Sequence, residues 1–279
     1  MVKDTLPSYR FVQIMISYRT IILVHKRFKV NPRLAEDYND ILKDYETNDI
    51  LEKVPDSGIP RETVHYLPHH PVVNEEKTTT KIRPVFDVSY SVNKPSLNDV
   101  LYSGPNLLAK VFDILIRFRT NYIALVADIK KAFLNIEIAE KDRDFLRFLW
   151  KENPTEAESK IIVYRFLRVV MGLKCRPFLL NGTIKYHLET YKLSLPEICR
   201  LLADDLYVDD LTTGTDSVNE GKNVYNHAVQ IMKEGGLELC KWITNNPELP
   251  AYINENEISE NLIDSNKIRF RYFGRLTNT

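Results

Sequence analysis

Residues 200–214 read Arg-Leu-Leu-Ala-Asp-Asp-Leu-Tyr-Val-Asp-Asp-Leu-Thr-Thr-Gly, two runs of β-forming residues around an Asp-Asp pair. The pattern predicts strand, tight turn, strand, with Asp209 and Asp210 at the turn. Adjacent carboxylates repel, and are tolerated where they face water or where a cation holds them together. On an extended strand Asp205, Tyr207 and Asp209 share a face. That leaves Asp205 either beside the Asp-Asp pair or on a lateral surface.

Outward from this stretch, residues 122–127 are a short apolar run, read as a buried strand ending at Asp128 in Leu-Val-Ala-Asp-Ile-Lys-Lys-Ala-Phe (125–133). A third carboxylate at the end of a neighbouring strand completes an oxygen-rich pocket suited to Mg²⁺. Taken alone, Asp-Asp is an ordinary turn and Asp128 an ordinary strand terminator.

The flanking elements follow from period and punctuation. Asn31-Pro32 starts a helix, with Leu34, Tyr38, Ile41, Leu42 and Tyr45 at helical spacing and Pro55 to Pro60 ending the region. Residues 65–98 read as strands and loops. Residues 107–119 read as a helix with Leu108, Val111, Phe112 and Leu115 on one face. Residues 141–150 read as a helix, 161–170 as a long strand and 177–191 as a helix. Ser217 and Glu220 form a capping box for a helix to about Lys233, stopped by Gly235-Gly236, and 237–244 is a further strand. This mixed order predicts an α+β fold, an antiparallel sheet backed by helices.

Composition excludes little but sets limits. The chain has 279 residues, 44% hydrophobic and 27% charged, enough for one large or two smaller cored domains. Net charge is zero, yet residues 77–131 carry nine Lys/Arg against four Asp/Glu, and residues 201–264 three against thirteen. A basic middle and an acidic later part suit an enzyme that holds phosphates with one and metal ions with the other; two solvated surfaces are the plainer reading. Three well-separated cysteines argue for a reducing compartment and against a disulfide framework. His65, His69 and His70 lie close together, but nearby prolines and the lack of cysteine favour a loop over a zinc site. The apolar stretch 11–24 contains Gln13 and Arg19 and falls short of a membrane span, and no signal peptide opens the chain. The expectation is a soluble intracellular protein.

Tyr207-Val208-Asp209-Asp210 resembles the central signature of reverse transcriptases, and residues 128–133 resemble their first aspartate motif. Wider phrases are similar to the BEL/Pao group of long-terminal-repeat retrotransposons: residues 66–71, Arg83-Pro84-Val85-Phe86-Asp87, Ser96-Leu97-Asn98-Asp99, residues 101–108, residues 178–184 and Lys241-Trp242. The likeness runs from about Leu34 to Pro250, with many motifs in the expected order.

The resemblance implies an RNA-directed DNA polymerase with right-hand fingers and palm. Residues 1–60 would be a helical lead-in and 61–120 the fingers. Residues 121–250 would be the palm, with fingers residues near 140–170, and 251–279 a truncated segment with a primer-grip echo at Tyr272-Phe273-Gly274. Asp128, Asp209 and Asp210 would be catalytic and, with the Ile129 carbonyl, would bind two Mg²⁺ ions, with Mn²⁺ as a substitute. Residues 78–83 resemble the fingers hairpin over the incoming nucleotide, where Arg83 offers a planar fork to phosphate and Lys81 a mobile charge. Phe133 would exclude a ribose 2′-hydroxyl; the plainer reading is a core phenylalanine. Met171 and Gly172 would lie under nucleotide and template. Lys241 would give a proton to pyrophosphate; a surface strand lysine is the plainer reading.

The implied partners are an RNA or DNA template with annealed primer and a deoxynucleoside triphosphate, not a membrane. The implied location is the cytoplasm, within retrotransposon particles. Thumb, RNase H, protease and integrase regions are expected to be missing. Cys175-Arg176 and Asp204 depart from the family pattern, where small residues and a basic residue are usual. The missing thumb and Arg176 keep open a nucleic-acid-binding relic without turnover; a third reading is an acidic metal-binding or interaction module unrelated to polymerases, in which Asp128 and the Asp209 turn would not lie close.

Overall fold

The computed structural model of the chain describes residues 22–55, 64–75, 81–91, 95–156 and 158–260. In chain order the elements are α1 (22–30), α2 (Pro32–Thr47), β1 (Leu51–Lys53), β2 (His69–Val73), β3 (Ile82–Phe86), α3 (Leu97–Val100), α4 (Val111–Thr120) and β4 (Ile123–Ile129). There follow β5 (Arg147–Lys151), β6 (Ile161–Phe166), α5 (Arg176–Leu188), α6 (Pro196–Asp205), β7 (Leu206–Tyr207), β8 (Asp210–Thr215), α7 (Val218–Glu234), β9 (Leu239–Thr244) and α8 (Leu249–Glu260). Two 3-10 turns, Ala132–Asn135 and Glu140–Leu146, lie between β4 and β5. All pairings between these strands are antiparallel, so the fold is α+β. Among the described residues no helix is long and apolar enough to cross a membrane.

The chain folds as two compact units: the described residues of 1–102 and 137–176 make one, those of 103–136 and 177–272 the other. The first unit holds the sheet β1-β6-β5 and the hairpin β2-β3. Its core is aromatic: Phe86 lies 4.7 Å from Phe166 and 5.0 Å from Phe148, centroid to centroid, and Tyr38 lies 5.1 Å from Trp150. His69 sits in this cluster, 2% exposed. Its Nε2 meets the Leu149 carbonyl at 2.9 Å, and its Nδ1 meets the Tyr38 hydroxyl at 2.7 Å. A carbonyl only accepts, so Nε2 carries the hydrogen and Nδ1 accepts from Tyr38. Burial pushes His65 and His69 down to about 4, so both are neutral core residues. α2 starts as the sequence predicts, with the Asn31 side chain accepting from the Leu34 N–H at 3.1 Å; such a cap stabilises by about 1 kcal/mol.

The second unit holds the sheet β7-β8-β4-β9. α7 covers it with Val224, Tyr225, Ala228, Val229, Ile231 and Met232 buried at helical spacing, and the Ser217–Glu220 capping box forms as expected.

Three elements differ from the sequence reading. Residues 141–150 are a 3-10 turn followed by strand β5, because Phe148, Leu149 and Trp150 are all buried and such a run carries no helical period. Residues 200–205 belong to helix α6, which starts at Pro196 and buries the stripe Ile198, Cys199, Leu202 and Asp205. α4 begins only at Val111, and the apolar face read from the sequence is turned outward: Val111, Phe112 and Leu115 are exposed, and Ile114 is the buried residue.

Candidate active site

β4 alternates strictly, with Ile123, Leu125, Ala127 and Ile129 inward and Ala124, Val126 and Asp128 on the other face. β8 pairs with it so that Asp128 lies directly opposite Asp210. Opposed residues of an antiparallel pair project to the same side, so these two carboxylates share a face. The turn between β7 and β8 is Val208-Asp209, closed against β4 by the Ile129 N–H donating to the Asp209 carbonyl at 2.8 Å. Val208 takes φ +59°, a left-handed conformation that a β-branched residue rarely adopts.

On the other side of β4, the register with β9 shifts between Val126 and Asp128: Val126 pairs with Ile243 and Asp128 with Cys240. β9 thus carries one extra residue there. Lys241 sits at φ +55°, the backbone of a β-bulge. Its Nζ donates to Asp128 Oδ2. That hydrogen bond, the Asp128 charge and, more weakly, the Asp210 charge raise the Lys241 amine above its usual value. Asp128, Asp210 and Lys241 are therefore one electrostatic group, negative in sum.

Among the described residues no group of three or more His, Cys, Asp or Glu side chains is arranged to hold a metal ion as it stands. The donors nevertheless fit a hard divalent cation in kind: carboxylate oxygens opposed across a ladder, already drawing a cationic side chain.

Phe133, in the 3-10 turn after β4, is buried at 6% exposure. Met171, Gly172, Lys81 and Arg83 belong to the first unit. Gly172 has φ +101°, and a Cβ there would meet Val88 at 3.2 Å and the Phe86 carbonyl at 3.3 Å, so the turn requires glycine. Met171 beside it is exposed, and Arg176 Nη1 donates to its sulfur at 2.7 Å. Lys81 and Arg83 are exposed at the start of β3. Residues 78–80 and 272–274, singled out in the sequence, lie outside the described residues.

Two residues near these sites carry work the sequence reading did not assign. The Asn98 amide donates to Ser89 Oγ and to the Gly172 carbonyl, both at 2.8 Å, and its oxygen accepts from the Lys174 N–H at 2.9 Å. It staples the 171–174 turn, and its place in Ser96-Leu97-Asn98-Asp99 was the available signal. Asp205 lies neither beside the carboxylate pair nor on a lateral surface: it ends α6, buried, accepting from Arg117 Nε at 2.8 Å and Thr213 Oγ1 at 2.7 Å. Nothing in the sequence marks Arg117 as its partner.

A scan against protein-family models and a search of curated proteins return no match for this chain.

Proposed function

We propose that the chain is an RNA-directed DNA polymerase domain that transfers a nucleotide from a deoxynucleoside triphosphate to a primer 3′-hydroxyl. The second unit is read as palm and the first as fingers. The observation that carries the reading is the pairing of Asp128 with Asp210 across β4 and β8, with Asp209 in the adjoining turn. Those residues belong to the sequence motifs that resemble reverse transcriptases.

Asp128, Asp209 and Asp210 would hold Mg²⁺, with the Ile129 carbonyl as a neutral donor. Two bound ions supply activation of the attacking hydroxyl and neutralisation of the leaving pyrophosphate. Lys241 Nζ holds a proton beside Asp128 and suits donation to the leaving group. Arg83 and Lys81 are assigned to triphosphate, Phe133 to selection of deoxyribose, and Met171-Gly172 to the nucleotide and template surface; these roles rest on the resemblance.

The purified chain, given an annealed primer–template, Mg²⁺ and all four deoxynucleotides, is expected to extend the primer. Asp209→Asn and Asp128→Asn should each abolish extension. Unaltered rates in either variant would remove the metal role.

One observation favours a second reading, a nucleic-acid-binding fold without turnover: Asp128 is already neutralised by Lys241. Salt-sensitive binding of primer–template without incorporation would select it.

A further inference from the structure

We propose that Asp205 is a positioning residue for the Asp209-Asp210 turn, its buried carboxylate held in a three-way clamp by the buried Thr213 and the half-exposed Arg117. The catalytic consequence rests on the polymerase reading above; the clamp itself does not.

The β7–β8 hairpin is asymmetric. β8 has six residues, but β7 has only two, Leu206 and Tyr207, paired with Leu211 and Asp210. So short an arm cannot fix a turn by its own ladder. α6 runs directly into β7, so the end of α6 sets where the turn lies. That end is fixed by Asp205, 7% exposed and the helix's last residue. One oxygen accepts from Thr213 Oγ1 at 2.7 Å, tying the helix end to β8 three residues beyond Asp210. The other accepts from Arg117 Nε at 2.8 Å, tying it to α4, which leads through two residues into β4 and Asp128. Arg117 Nη2 also donates to the Asp204 carbonyl at 2.5 Å, capping α6 at the end where the helix dipole favours a cation.

One buried carboxylate thus joins α4, the helix that leads into the Asp128 strand, to the hairpin whose turn carries Asp209 and Asp210. A buried carboxylate persists only with such partners, and removing one leaves the charge or the cation uncompensated. The acidic pair Asp204-Asp205 beside the hairpin is thereby accounted for: Asp205 points inward to Arg117, and the Asp204 backbone serves as acceptor.

The test uses the full chain and two readouts. Amide hydrogen exchange at Ile129, whose N–H donates to the Asp209 carbonyl, reports the turn's seat on β4. Steady-state primer extension, resolved into kcat and the KM for deoxynucleotide, reports the consequence. Asp205→Asn and Arg117→Met are expected to speed exchange at Ile129 at least about tenfold while Leu125, deeper in the same strand, keeps its protection. They should lower kcat about 10- to 100-fold with KM nearly unchanged. Thr213→Val, which removes one bond and keeps the volume, is the variant for the case where the others fail to fold, and should act in the same direction more weakly. Unchanged Ile129 exchange in the folded variants overturns the clamp. Faster exchange with unaltered kcat overturns its link to catalysis. If the unsubstituted chain extends no primer, the polymerase reading falls, and the exchange data alone decide the clamp.

Discussion

Two residues beside the carboxylates hold left-handed backbone without being glycine: Val208 in the turn and Lys241 in the bulge. For an L-residue this conformation costs about 1–2 kcal/mol, and more where Cβ is branched. Strain of this kind persists where surrounding structure over-determines it. Val208 is fixed from both sides, by the α6 end and by the Ile129–Asp209 hydrogen bond. Glycine relieves the strain but costs about 0.5–1 kcal/mol of extra unfolded-state entropy. Val208→Gly is therefore expected to leave unfolding free energy equal or up to about 1 kcal/mol higher in urea titration, while slowing extension. A stability loss beyond about 1 kcal/mol would mean that valine packing, not strain, dominates there. The sequence made Asp128 visible because a short apolar run, 122–127, leads up to it, and Asp209-Asp210 visible because β-forming residues flank the pair. It could not reveal the bulge, since Lys241 stands where a glycine would have signalled it. Nor could it reveal Arg117, whose partner Asp205 lies 88 residues further along the chain, beyond any local pattern.

At the scale of elements, the register that opposes Asp128 and Asp210 depends on how closely β8 approaches β4. Gly214 pairs with Ala124 four positions along the same ladder. A Cβ on Gly214 would lie 2.7 Å from the Ile123 carbonyl oxygen and 2.8 Å from Asn121 Cβ. Neither neighbour can give way cheaply: one is backbone, and Asn121 is held by its amide donating to the Arg117 carbonyl at 3.0 Å. Gly214→Ala is expected to destabilise by about 2 kcal/mol and to lower extension with it. Gly182→Ala is the control. Gly182 lies within α5, where a Cβ would meet Leu107 Cδ1 at an ordinary 3.7 Å, and the change should stabilise by about 0.5–1 kcal/mol. Thermal melts of both variants check the pair, and equal melting shifts would refute the close-approach argument. Elements with local punctuation were readable: the Asn31 cap of α2 and the Ser217–Glu220 box of α7 formed as expected. β5 was not, because three adjacent buried side chains carry no period. α6 carried a readable stripe and the Pro196 start, but the β-forming run after Asp205 masked it.

At the scale of the whole molecule, each unit has its own core and its own tryptophan. Trp150 stands in β5 of the first unit, its indole N–H donating to Asn39 at 3.0 Å, and Trp242 stands in β9 of the second, 5.1 Å from Tyr225. The chain has two tryptophans in all, so single-tryptophan variants report the units separately. The two histidines that burial pushes down to about 4, His65 and His69, both lie in the first unit. The folded unit holds their neutral form, and the unfolded chain protonates them near 6.5. Their contribution is complete above pH 6.5 and is lost as the pH falls towards 4, about 2 kcal/mol for each by pH 5. In Trp242→Phe the urea transition seen by Trp150 should therefore weaken between pH 7 and pH 5, by up to about 4 kcal/mol. In Trp150→Phe the transition seen by Trp242 should move by less than about 1 kcal/mol over the same range. The lost Asn39 bond does not disturb the comparison, because each variant is compared with itself at two pH values. Adding His69→Gln to Trp242→Phe should remove about half of the Trp150 shift, since the amide keeps a donor for the Leu149 carbonyl and cannot titrate. Equal shifts at both tryptophans would mean that acid acts on a single cooperative structure, and the two cores would then have to be treated as one.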